Sequence, residues 1–128
     1  MIQNFSLPAS SDSLRLAGIE VAPDCGEPKG IVQLLHGMCD HKERYLPFMR
    51  FLASQGFVCV IHDHRGHGAS VRDGSDLGFM YRGGWRAMVD DAHSHTSTSF
   101  VDSCNDCLLF TLVLRLLTAG CLLLPTCG

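Results

Sequence analysis

The sequence predicts an α/β fold, with antiparallel N-terminal strands leading into a parallel βαβ sheet, on three observations. Ile31-Val32-Gln33-Leu34-Leu35 is a nearly continuous apolar run, the pattern of a strand buried on both faces. Phe57-Val58-Cys59-Val60-Ile61 is a second such run, built from β-branched and aromatic residues. Between them Tyr45, Phe48, Met49, Leu52 and Ala53 recur at the spacing of one helix face, and Gly56 stands where that helix should stop.

The remaining elements follow in chain order. Phe5–Leu7 and Leu14–Val21 read as short strands, the second alternating through Leu14, Leu16 and Ile19, with Ser10-Ser11-Asp12 as the turn between them. Pro23 to Pro28 is a loop by its proline and glycine content. A glycine-rich stretch, Arg65-Gly66-His67-Gly68-Ala69-Ser70, follows the second buried strand, and a further loop runs from Asp73 to Gly84. A helix is predicted to begin near Trp85, with Met88, Val89 and Ala92 on one side, and to end around His95, where Ser94 to Ser99 is polar and turn-like.

Composition narrows the function classes. At 128 residues and 46% hydrophobic, the chain has the length and apolar share for one domain with a single core. Ten Lys and Arg against thirteen Asp and Glu give a net charge of −3, and the basic residues are scattered, so there is no electrostatic reason to expect a nucleic-acid partner. The first eight residues lack both a basic n-region and an apolar h-region, and a cytoplasmic protein is the default expectation. Seven cysteines, an odd number, are then expected as free thiols.

Ligands of open α/β sheets bind beyond the carboxyl ends of the strands, and both turns at that edge are unusual here. After the first buried strand comes His36-Gly37-Met38-Cys39-Asp40-His41. A glycine there lets the backbone turn tightly and present amide hydrogens to a substrate carbonyl, although a plain strand-to-helix turn fits the same residues. After the second comes Asp63-His64-Arg65-Gly66-His67-Gly68-Ala69-Ser70, with two glycines, an arginine and two histidines at the mouth of the same sheet.

Together the motifs Leu-His-Gly-Met-x-Asp-His-x-x-Arg-Tyr at 35–45 and Asp-His-Arg-Gly-His-Gly-x-Ser at 63–70 resemble the lysophospholipase and monoacylglycerol lipase branch of the α/β hydrolases, the serine aminopeptidase S33-like group. The resemblance spans about residues 5–93 and continues weakly through Gly84-Trp85 and Val89-Asp90-Asp91. It implies hydrolysis of a lipid ester or other small ester by a serine nucleophile, without a cofactor. It also implies that the Met38 amide is one oxyanion donor, that His36 and Gly37 shape its turn, and that Asp63, Arg65, Gly66 and Gly68 brace the neighbouring loop.

The family's nucleophile sits on a Gly-x-Ser-x-Gly elbow, followed in chain order by an acid and a histidine. No Gly-x-Ser-x-Gly occurs in the 128 residues. Ser70 follows Gly68 but lacks the second glycine, and Ser75 has the wrong spacing. His93 and His95 precede the place where the serine should stand, so neither can be the triad histidine. The expected fold is therefore a partial α/β-hydrolase sheet, truncated before the elbow. No catalytic residue is identifiable, and a catalytically incomplete fragment is the leading reading.

Other readings compete. His62-x-His64-x-x-His67 has metallo-hydrolase spacing, but Gly66 stands where that motif usually places an aspartate. Cys104-Asn105-Asp106-Cys107 has redox or zinc-knuckle spacing with no second pair at zinc-ribbon distance. The tail, residues 94–128, differs in composition from residues 1–93, as a shifted reading frame would produce. Within it Cys107–Leu124 approaches the length of a membrane span, about 18 residues, and allows membrane association as a remnant. Arg115 near its centre opposes insertion by about 2.5 to 3.5 kcal/mol. The family's sheet order suggests another place for this tail: Leu108 to Leu114 could pair with the strand at Ile31–Leu35, on the side that the nucleophile strand would otherwise occupy.

Overall fold

The computed structural model describes residues 1–97, 108–113 and 122–125. The strands are β1 (Ile2–Pro8), β2 (Arg15–Val21), β3 (Gly30–Leu35), β4 (Phe57–His62), β5 (Leu108–Val113) and β6 (Leu122–Pro125). The helices are α1 (Leu46–Ser54) and α2 (Gly84–Ser97), with short 3-10 turns at Lys42–Tyr45 and Gly74–Asp76. One sheet runs in the order β1-β2-β4-β3-β5-β6. Its β1/β2, β2/β4 and β5/β6 pairs are antiparallel, and its β4/β3 and β3/β5 pairs are parallel. This is a partial α/β-hydrolase sheet, as the sequence predicts.

Because side chains alternate across a strand, β3 and β4 each feed two faces. Val32, Leu34, Cys59 and Ile61 join Ile19, Val21, Met49 and Ala53 in the main core under α1, flanked by Tyr45, Leu46, Leu52 and Phe57. Leu34, Met49, Cys59 and Ile61 are fully buried, and each large one stabilises by roughly 1.5 to 3 kcal/mol. Ile31, Val58 and Val60 form a smaller cluster on the opposite face. Gln33 shares that face and is buried. Its Nε2 donates to the Ala92 carbonyl of α2 at 2.9 Å, and its Oε1 accepts from the Thr111 hydroxyl at 3.3 Å. A polar residue inside an apolar strand is thus satisfied by its neighbours on two sides, as a buried amide must be.

The partner of β3 is β5, in register from Gly30 opposite Leu108 to Leu35 opposite Val113. The tail strand therefore takes the place suggested for it, and β6 continues the sheet beyond it. Of the stretch considered as a membrane span, Leu108–Val113 and Leu122–Pro125 are strands, and among the described residues no helix is long and apolar enough to cross a membrane. Cys104 and Cys107 lie outside the described residues.

Helix α2 runs to Ser97, past the end predicted near His95. The polar run does not stop it. Its inner face is also not the predicted one: Ala87 and Asp91, four residues apart, are buried, Met88 and Ala92 are half-buried, and Val89 is exposed.

An unpaired β3 would present a long apolar edge, which promotes association between chains. Deleting residues 101–128 is therefore expected to lower soluble yield and shift the protein toward aggregates in size-exclusion chromatography. Equal or better solubility of the shortened chain would contradict the β3/β5 pairing.

Candidate active site

The two turns beyond β3 and β4 meet at the carboxyl edge of the sheet, and histidine rings lock them together. His36 Nδ1 lies 2.8 Å from the Gly37 carbonyl, and His36 Nε2 lies 2.9 Å from the His64 backbone amide. A carbonyl only accepts and an amide N–H only donates, so the His36 proton sits on Nδ1. In return His64 Nε2 donates to the His36 carbonyl at 3.0 Å. The two rings pack at 4.2 Å between centroids. Burial pushes the His36 pKa down, against the opposing pull of the Gly37 carbonyl and Asp63. Burial, with the neighbouring His36, pushes His64 down to about 4.

This clamp fixes the Gly37-Met38-Cys39-Asp40 turn. Cys39 is exposed and adopts φ +60°, a left-handed conformation that costs a non-glycine residue roughly 1 to 2 kcal/mol. Such strain at a turn persists only where its surroundings enforce it. The Met38 side chain is exposed, and its backbone amide makes no hydrogen bond among the described residues. Beyond the turn, the buried Asp40 accepts from its own neighbour's amide, His41 N, at 2.9 Å and from the Tyr45 hydroxyl at 2.6 Å, with Arg44 Nε at 3.4 Å. Burial together with that bond to Asp40 carries Tyr45 up to about 12. Burial would raise the Asp40 carboxyl, but its donors outweigh it and hold the pKa below the usual value.

Asp63 is the second tie between the turns. Fully buried, it accepts from Lys42 N at 2.7 Å, Lys42 Nζ at 2.6 Å and Ala69 N at 2.8 Å. Burial opposes the charge on Lys42, yet its bonds to Asp63 and Glu43 outweigh that penalty and raise its pKa. Gly68 has φ +48°, and a Cβ there would collide with the Asp63 carboxylate. Gly66 has φ +74°, and a Cβ there would collide with the Phe79 carbonyl. Both glycines are thus required by close approach as well as by backbone angle.

Arg65, also fully buried, spreads its donors over several partners. Nε and Nη2 form a bidentate pair with Asp91 at 2.8 and 3.1 Å, and Nη1 reaches the Arg82 and Met80 carbonyls and Asp12 at 2.9, 3.2 and 3.4 Å. Asp91 in turn accepts from both the amide and the hydroxyl of Ser10 at 2.7 Å. The planar fork of arginine suits this arrangement in a way lysine could not.

Neither serine near these turns is poised as a nucleophile. The Ser70 hydroxyl donates to the Asp63 carbonyl at 2.7 Å and accepts from Ala17 N at 2.9 Å. Ser75 donates to Asp73 at 2.7 Å in an exposed turn. The metallo-hydrolase arrangement considered for His62, His64 and His67 is not formed: among the described residues no three His, Cys, Asp or Glu converge as metal ligands. His64 and His67 each commit a ring nitrogen to a backbone carbonyl.

Between the turns lies an open cavity of about 500 Å³, lined by residues 39–41, 66–68, Leu77 and Gly78. Three contributors were not singled out from sequence: Lys42, Asp91 and Asp12. Lys42 sits inside the first motif at a position that motif leaves open. Asp91 entered the sequence reading only within the weak continuation of the resemblance through Val89-Asp90-Asp91, without a role.

Residues 26–108 match the family model described as serine aminopeptidase, S33. Among solved structures, a thermostable carboxyl esterase from Bacillus coagulans aligns with a TM-score of 0.76 at 27% identity, over 86% of this chain and 35% of its own. A soluble variant of monoglyceride lipase from Saccharomyces cerevisiae shares the fold, with a TM-score of 0.63 at 18% identity, over 88% of this chain and 33% of its own. The chain thus spans about a third of the length of these two structures.

The buried histidines make the site acid-sensitive. His64 holds its proton less well when folded (about 4) than the ordinary 6.5 of the unfolded chain, so the unfolded state gains protons first as pH falls. Stability is fully present above pH 6.5 and is lost as pH drops through 4, by up to about 3 kcal/mol from this ring, and His36 acts in the same direction. Urea unfolding between pH 7 and pH 4 is expected to show that loss, reduced in His64→Gln. A flat profile over this range would contradict the buried neutral pair.

Proposed function

This chain belongs to the serine aminopeptidase S33 family of the α/β hydrolases, and on that premise we propose that it forms the amino-terminal part of a serine hydrolase for carboxylic esters, of lysophospholipase or monoacylglycerol lipase type. In this reading it supplies half of an oxyanion hole and no nucleophile. The observation that carries the reading is the Met38 amide, without a hydrogen-bond partner among the described residues, on a turn held by the His36 and His64 rings at the carboxyl edge of the sheet.

The chemistry follows from that placement. When a nucleophile adds to an ester carbonyl, negative charge develops on its oxygen, and a fixed N–H aimed there stabilises the transition state without reorganising. Asp63 and Arg65 hold the turns and keep their charge away from the reacting carbonyl, being saturated by Lys42 and Asp91 respectively. With no Gly-x-Ser-x-Gly in the 128 residues and with Ser70 engaged at both its donor and acceptor ends, covalent catalysis requires a serine that this chain does not offer. Residues 94–128, atypical in composition, then supply the strand in the nucleophile strand's place, with the family match itself reaching residue 108.

A fluorophosphonate probe and a short-chain aryl ester test the proposal together. The 128-residue chain is expected to be neither labelled nor active. Residues 1–93 grafted onto the nucleophile-bearing remainder of an S33-family esterase are expected to restore both. In that chimera Met38→Pro removes one N–H at the second position of a turn with a left-handed third residue, where proline fits, and should lower kcat by roughly 10² to 10³. Labelling of the 128-residue chain, or full activity of the proline variant, would overturn the proposal.

A further inference from the structure

We infer that His67 is a recognition site for a neutral hydroxyl group in the cavity between the two turns, with Nε2 as the acceptor. The inference rests on the proposed function for one point only, that the hydroxyl belongs to the alcohol half of an ester.

His67 is 7% exposed and lines the cavity of about 500 Å³. Its Nδ1 lies 3.0 Å from the Arg65 carbonyl. A carbonyl can only accept, so Nδ1 carries a proton, and in the neutral ring the lone pair is then on Nε2. Arg65 and Gly66 are themselves fixed, by Asp91 and by the Gly66 carbonyl accepting from Gly78 N at 2.7 Å, so the ring is held in one tautomer and one orientation. Nε2 has no hydrogen-bond partner among the described residues and is not one of the sealed ring nitrogens, in contrast to His64 Nδ1. It is therefore the ring's open end.

The lining decides what Nε2 can receive. Gly78, where a side chain would meet nothing within 4 Å, leaves that part of the lining open, while Leu77 offers an exposed apolar wall. A small aliphatic body with one donor fits that combination. An anion does not, because the Asp40 carboxylate lines the same cavity. An ammonium gains little, because Asp40 is already compensated by the Tyr45 hydroxyl and Arg44, and His41 is paired with Glu43 at 2.9 Å. A hydroxyl meets the lone pair without a charge to desolvate.

The test is long-range ¹H–¹⁵N NMR of the histidine rings in the unmodified 128-residue chain, titrated with 1-propanol. The starting spectrum should show the His67 proton on Nδ1. Saturable upfield movement of His67 Nε2 is expected with 1-propanol, and none with methoxyethane, an isomer of the same size with no donor. His67→Phe, which keeps the ring volume, should weaken propanol binding at least tenfold. The inference is overturned by a proton found on Nε2, by no saturable movement, by equal response to the ether, or by tighter binding of propylammonium or acetate. No nucleophile is needed for this binding, so it can fail while the grafted domain remains an esterase, and the converse also holds.

Discussion

The site depends on one buried carboxylate. Asp63 directly follows β4 with no exposed surface, and its charge is tolerable only because three donors converge on it: the amide and ammonium of Lys42 and the amide of Ala69. An isolated carboxylate in that position would cost several kcal/mol. Its compensation therefore dictates where other parts of the chain can go. Lys42 begins the 3-10 turn that leads into α1, and Ala69 belongs to the glycine-rich loop, so satisfying one charge sets the distance between the two turns that frame the cavity. Gly68 is glycine because the carboxylate occupies the space a side chain would need.

From this tie the rest is ordered outward. The His36 and His64 rings, each with one nitrogen on the other turn's backbone, fix the turn that carries Met38 and enforce the left-handed Cys39. Arg65 repeats the Asp63 solution with the charges reversed, drawing α2 and the β1–β2 turn onto the loop through Asp91 and Asp12. Gln33 does the same at lower stakes within the sheet, bridging α2 and β5. Polar groups buried at the strand ends thus decide the geometry, while the apolar core under α1 supplies the stability. Dense, fully satisfied polar networks specify a unique arrangement more than they add net stability.

Much of the sheet was legible in the sequence because its signals are local. The runs at Ile31–Leu35 and Phe57–Ile61 are buried strands because their neighbours on both faces are apolar, and Met49, Leu52 and Ala53 of the predicted stripe face the core from α1, with Tyr45 in the 3-10 turn before it and Phe48 left exposed. The two motifs placed the turns at the right edge. What was hidden is non-local. Nothing near Lys42 announces that it points inward to Asp63, since lysine is usually a surface residue. Helix α2 faces inward through Ala87 and Asp91 because Arg65, twenty-six residues before Asp91, needs a carboxylate there, so the apolar periodicity through Val89 pointed to the wrong face. The polar run at Ser94–Ser99 suggested a stop, whereas short polar side chains are only weakly unfavourable in a helix, and α2 continues to Ser97. The apolar tail was compatible with a membrane helix or a strand, and the open side of β3 decides for the strand.

The most direct measurement of this account is amide hydrogen exchange on Asp63→Asn, which keeps the shape of the side chain and removes its charge. If Asp63 holds the two turns together, the amides of Lys42 and Ala69 should both lose protection, with global stability falling by roughly 3 to 5 kcal/mol, as when one partner of a buried pair is removed. Unchanged protection at Lys42 and Ala69 in a folded Asp63→Asn protein would contradict it.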